Sequence, residues 1–177
     1  MDLEFALAVL SRIVHVITAI VLVGGSIFTL LVLLPATRQL NQGRQLNEGR
    51  PLDEGSLAQL LPAVIGRWKR YVHLGIVLFL ITGVYNYMLG IEAHPGDGPY
   101  HALMGIKMLL ALVVFFLASA LVGRSGKLEG IRRKRETWLT VLVLIALAIV
   151  SISGFLKIRG VPPSVTPEVA PEAIAEE

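Results

Sequence analysis

Whatever chemistry this chain performs must come from a few polar side chains set inside long apolar runs. Lys107 stands within an apolar stretch from Ala102 to Val122. A cation in hydrocarbon is costly unless it reaches the interface or finds a partner, so an intramembrane lysine marks a functional position by default. At about 100° per residue, His101, Met104, Lys107 and Met108 fall within an arc of roughly 120° on one helix face. In the first apolar run, Ser11, His15, Thr18, Ser26 and Thr29 fall within roughly 80°, with Gly25 at the border. That stripe must face protein. Its small and hydroxylated members suit close helix approach and hydrogen bonding across an interface.

An imidazole within a span pairs, binds metal or relays protons, so His15 is the first candidate ligand. Met88, Met104 and Met108 gather with His15, His94 and His101 toward one end of the apolar runs. Thioether and imidazole donors suit copper, Cu(I) above all. The same methionines also serve as ordinary gap fillers. A b-type haem with His15 as axial ligand, and His101 or Lys107 opposite, fits the same residues. Counted from the inner ends of the runs, His15 and His101 lie at matching depths and Lys107 lies about 9 Å deeper at 1.5 Å per residue, so His101 is the predicted partner of His15. Thr82 and Asn86 are placed to hydrogen-bond within the bundle in support of the site. His73, at the opposite end of the second run, reads as an interfacial residue. With no second histidine at that end, a pair of stacked haems is not expected.

The elements that position these residues follow from composition. Of 177 residues, 54% are hydrophobic and 16% charged, far from the balance of a soluble domain. Four apolar runs, about 9–34, 71–89, 102–122 and 138–156, each approach the ~20 residues that cross a bilayer as helix. The predicted fold is all-α: an antiparallel bundle of four transmembrane helices in one domain over residues 1–160, held in the lipid bilayer. Asp2 and Glu4 stand where a secretory signal carries Lys or Arg, so the first helix is expected to be retained. Cysteine is absent, which excludes disulfides, thiolate metal sites and iron–sulfur clusters.

Positive charge orients the bundle. Arg38, Arg44, Arg50, Arg67, Lys69 and Arg70 lie in the first connection, and Arg124, Lys127, Arg132, Arg133, Lys134 and Arg135 in the third. The second connection has only Glu92 and Asp97. The chain is therefore predicted to sit in a bacterial inner membrane with residues 36–70 cytoplasmic and both termini outside. Topology and anionic lipid account for the basic runs, and nucleic acid is not an expected partner. Within the first connection a six-residue unit repeats three times from Gln39 to Ser56 (QLNQGR, QLNEGR, PLDEGS) and reads as a polar linker. Ser56 then caps a predicted short helix, Leu57 to Ile65, broken by Pro62, and Trp68 marks the interface. Residues 161–177, rich in Pro and Glu, form a predicted disordered tail.

These segments resemble a known family. RIVHVITAIVLVGGSIFTLLVLLPA (Arg12 to Ala36), with its histidine, GG pair and closing LLP, resembles the opening span of the copper resistance protein D family. RWKRYVHLGIVLFLITGVYNYML ends in the TGxYN pattern of that family's next span (Thr82, Gly83, Tyr85, Asn86), and YHALMGIKMLLALV is similar to its third. Members of that family are longer, with more spans and often a tryptophan before the GG pair. A weaker likeness is to HemJ-type protoporphyrinogen oxidase, whose first-span histidine and third-span lysine match His15 and Lys107. The first resemblance implies copper binding or transport near the periplasmic face by His15, His101, Met88, Met104 and Met108. The second implies haem binding at His15 and Lys107; the residues' own haem reading adds His101 as the alternative to Lys107, with a periplasmic metal or electron donor as partner. A membrane scaffold subunit is the third reading, and whether the chain is an enzyme stays open.

Overall fold

The computed structural model describes residues 2–39, 54–123 and 125–160. The six-residue repeat lies largely outside them and the Pro/Glu tail wholly so. Helix α1 spans Leu3–Gln39, α2 Glu54–Ala93, α3 Gly98–Val122 and α4 Arg135–Arg159. Between α3 and α4 lie a 3₁₀ turn, Gly126–Leu128, and a short helix, Glu129–Arg133. No strand occurs among the described residues. All four long helices contain a segment apolar and long enough to cross a membrane, in α2 from Gly66 to Ala93.

Local chemistry closes the ends that meet on the side of the α2–α3 turn. The sequence HPGDGP turns the chain between α2 and α3: Gly96 takes φ 74°, Asp97 accepts the Tyr100 N–H at 3.2 Å as N-cap, and a proline stands in the first turn. Gly160 ends α4 at φ 64°, its N–H bonded to the Leu156 carbonyl at 3.3 Å, beside Lys157 and Arg159 in the last turn. The separate helix predicted over Leu57–Ile65 does not form. One helix runs from Glu54 through Pro62 to Ala93, with Ser56 as its third residue rather than its cap. Proline removes a single N–H from that ladder, and the long helix carries the loss.

Contacts between α1 and α2 pair rising numbers with falling ones: His15 with Thr82, Leu22 against Gly75, Gly25 under Trp68. Trp68 is thus a half-buried packing residue whose indole lies where a Cβ on Gly25 would stand, and Leu22 occupies the corresponding space at Gly75. Three hydroxyls of the stripe, all but that of Ser11, turn inward on their own helix instead of across the interface. Thr18 bonds the Val14 carbonyl, Ser26 that of Leu22 and Thr29 that of Gly25, at 2.7–2.8 Å. Back-bonding satisfies each hydroxyl without a partner helix, leaving small residues to carry the close approach.

The tightest apolar packing joins α3 and α4 through Leu117, Leu121, Leu139, Leu142 and Val143, with Ile27, Leu30 and Leu34 of α1 against it. Near Leu30 the helix α1 widens into a π turn, Thr29–Leu33, and below it Arg38 pairs with Glu136 of α4. The apolar core therefore occupies one half of the bundle, and the histidine-bearing stripe the other.

Replacing Gly25 by leucine is expected to drive the side chain into Trp68 and cost about 1–3 kcal/mol. Unfolding in mixed micelles checks this, with Gly25→Leu combined with Trp68→Ala recovering part of the loss.

Candidate functional site

His15 owes its position to two neighbours on α2. Its Nδ1 lies 2.9 Å from Thr82 Oγ1, and its ring meets Phe79 edge-on at 4.6 Å between centroids. Thr82 is buried, and its hydroxyl donates to the Leu78 carbonyl at 2.7 Å. A hydroxyl has one proton to give. With that proton spent on Leu78, Thr82 can only accept from His15, so the imidazole carries its proton on Nδ1. The lone pair then resides on Nε2, the arrangement that a metal-ligating histidine with a supporting acceptor adopts.

Phe79 in turn lies 5.8 Å from Phe115 of α3, which carries the wall of the site across to the third helix. One turn outward of His15, Ser11 presents a buried hydroxyl oxygen with no hydrogen-bond partner. Lys107 is half-buried on α3, and both it and Arg12 lie near enough to His15 for their charges to act on its ring. Among the described residues no carboxylate pairs with either cation.

His101 is placed elsewhere. Its Nε2–H donates to the His94 carbonyl at 3.1 Å, while His94 donates Nδ1–H to the Gly90 carbonyl at 3.0 Å. Tyr100 stacks face to face on His94 at 3.8 Å, meets His101 edge-on at 5.6 Å, and rests its hydroxyl on Gly90. Gly90 is eight residues, about 12 Å of helix, beyond the Thr82 that holds His15. The depth match expected between His15 and His101 therefore fails, and Lys107 is the nearer of the two. Counting from Pro35 and Val122 assumed that those residues end their helices at one level, whereas α1 continues to Gln39.

The methionines divide as well. Met104 is half-buried, but Met88 is 58% and Met108 40% exposed on the outer surface of the bundle. Among the described residues no three His, Asp or Glu side chains converge as a metal-binding group. His73 is exposed and donates Nδ1–H to the Lys69 carbonyl at 2.8 Å, in keeping with an interfacial place.

Sequence reasoning missed the clasp that fixes the His94–His101 end. Asp97, 3% exposed, receives both guanidinium nitrogens of Arg159 at 2.9 and 3.0 Å. The fork joins the α2–α3 turn to the last turn of α4 in the bidentate geometry that makes such pairs strong. The available signal was an acidic residue in a HPGDGP turn and an arginine closing the last apolar run.

Compared with protein-family models, with curated proteins and with solved structures, the chain has no match in any of the three.

The Arg159 hydrogen bonds, helped by the Tyr100 N–H and nearby positive charge, hold the Asp97 carboxyl below the usual carboxylate range against the opposing effect of burial. A depressed folded value means that its contribution is complete above the unfolded value, about pH 3.9, and is lost as pH falls through the folded one. The thermal midpoint in detergent should therefore fall on acidification below about pH 4. Asp97→Asn, which keeps an acceptor for the cap, should start lower at neutral pH and show a flatter profile in that window.

Proposed function

We propose that this chain is a multi-pass protein of a bacterial inner membrane that holds a b-type haem with His15 as an axial ligand. The membrane reading rests on four helices of spanning length and on the placement of Lys and Arg in two of three connections. Descending contact pairs between α1 and α2 support an antiparallel bundle, with residues 36–70 and the α3–α4 connection cytoplasmic and both termini outside.

One observation carries the haem reading: Thr82 fixes the His15 tautomer so that the lone pair lies on Nε2. The residues around it fit such a group. Phe79 and Phe115 supply an apolar aromatic wall, Ser11 an unsatisfied hydroxyl, and Lys107 and Arg12 positive charge without acidic partners. Bound there, a haem would supply one-electron chemistry. The chain's own part is to hold the imidazole rigidly by Thr82, raise its basicity as ligand through that hydrogen bond, and exclude water with the phenylalanines. An electron donor or acceptor on the outer side is the corresponding partner. The likeness of His15 and Lys107 to the histidine and lysine of HemJ-type proteins agrees with this reading.

Copper handling, as the likeness to copper resistance protein D implies, is the second reading. It draws on His15, His101 and the half-buried thioether of Met104 beside Lys107 on α3. The exposed Met88 and Met108 are its weakest members.

An optical spectrum and metal analysis of the purified protein decide between them. The expected result is a Soret band at one haem per chain, lost in His15→Ala. Thr82→Val should keep the band while weakening haem affinity by about 10–100-fold. Stoichiometric copper without a Soret band would replace this reading with the second, and neither group would leave a membrane scaffold.

A further inference from the structure

The polar layer just outward of His15 has a composition that the axial ligand does not explain. Register places its members. His15 stands opposite Thr82 and Leu22 opposite Gly75, so a step of four residues outward on each helix brings Ser11 opposite Asn86. On the other side, α2 meets α3 at Phe79 and Phe115 and again at Gly90 and Tyr100. Asn86, between these two contacts, is therefore level with the segment from Met104 to Met108, which contains Lys107. Arg12, next to Ser11, is near enough to His15, Tyr100 and Lys107 for its charge to act on all three.

The layer is thus Ser11, Arg12, Asn86 and Lys107: a hydroxyl, an amide and two cations. Each can donate hydrogen bonds, and the cations donate only. Lys107 is half-buried while Arg12 is exposed at the edge of the layer, and among the described residues no Asp or Glu pairs with either. Asp97, the buried acid of this end, is already held by both nitrogens of Arg159. The Ser11 oxygen is buried and has no partner among the described residues. One unsatisfied buried hydroxyl beside positive charge that no carboxylate pairs is what a ligand's anionic oxygens would complete.

We propose that this layer binds the carboxylate groups of a porphyrin, so that the ligand enters with its acidic edge toward the outer face and its apolar edge toward the phenylalanine wall. The inference rests on the haem reading and adds the chemical class of ligand: an apolar macrocycle bearing carboxylates, taken in preference to a neutral one. Lys107 and Arg12 act here as positioning residues, distinct from the axial role of His15.

The test is a Soret titration of the purified haem-free protein in detergent with haem b and, in parallel, with its dimethyl ester, which keeps the iron but lacks the negative charges. Wild type should bind haem b at least about tenfold more tightly than the ester, the size of one or two charge-assisted hydrogen bonds. Lys107→Gln and Arg12→Gln should reduce that preference by weakening haem b binding alone, with the Soret position of the bound ester unchanged, and Lys107→Arg should restore it. Equal affinity of wild type for the two porphyrins would overturn this inference and leave the haem reading standing. Variants that weaken both porphyrins alike, or shift the ester's Soret band, would also overturn it, since Lys107 would then act on the iron or the fold. Binding of neither porphyrin would overturn the haem reading and this inference with it.

Discussion

A single hydroxyl governs the arrangement around His15. Thr82 gives its proton to the Leu78 carbonyl on its own helix and accepts the imidazole N–H from the neighbouring one. The same atom therefore satisfies its helix, joins α1 to α2 and decides which nitrogen of His15 is basic. In water such a bond would be one among many competitors. Between packed helices, breaking it would leave the Nδ1–H of the half-buried imidazole without this acceptor. The aromatic wall, the ring orientation and the layer above all take their geometry from this contact.

The two halves of the bundle divide the work of stability and chemistry. Toward the basic connections, leucines and valines of α3 and α4 pack closely, with the end of α1 set against them. Toward the acidic turn, aromatic and polar groups replace aliphatic packing, and order comes from directed bonds: the Asp97–Arg159 fork, the His94–Tyr100 stack and the His15–Thr82 bond. Directed bonds fix orientation better than apolar contacts do, so side chains in this half are held at set angles. The tighter aliphatic half can meanwhile hold the helices in register without constraining their polar faces.

How much of this was legible in the sequence depends on the range of the interaction. The four helices follow from uninterrupted apolar runs, and helical phase was enough to set Ser11, His15 and Thr18 on one face and to mark Thr82 as support. What phase cannot supply is the level at which two helices meet. Depth counted from helix ends favoured His101 over Lys107, and only the Thr82 and Gly90 contacts corrected it. The Asp97–Arg159 pair spans 62 residues of sequence, and no local pattern connects its members. Trp68 looked interfacial because its neighbours are basic, yet its ring belongs to the seat provided by Gly25. Pro62 looked like a break because proline opposes helix, but a helix forty residues long absorbs one missing donor.

The π turn at Thr29–Leu33 has a consequence for how one helix can serve two neighbours. Accommodating an extra residue in one turn advances every later side chain by about 100° around the axis relative to an unbroken α-helix. Before the turn, His15 addresses α2 while Ile27 already rests on the α3–α4 core. After it, Arg38 addresses α4. The widened turn thus works as a phase shifter for the last turns of α1, whose Leu34 and Arg38 both meet the half built by α3 and α4.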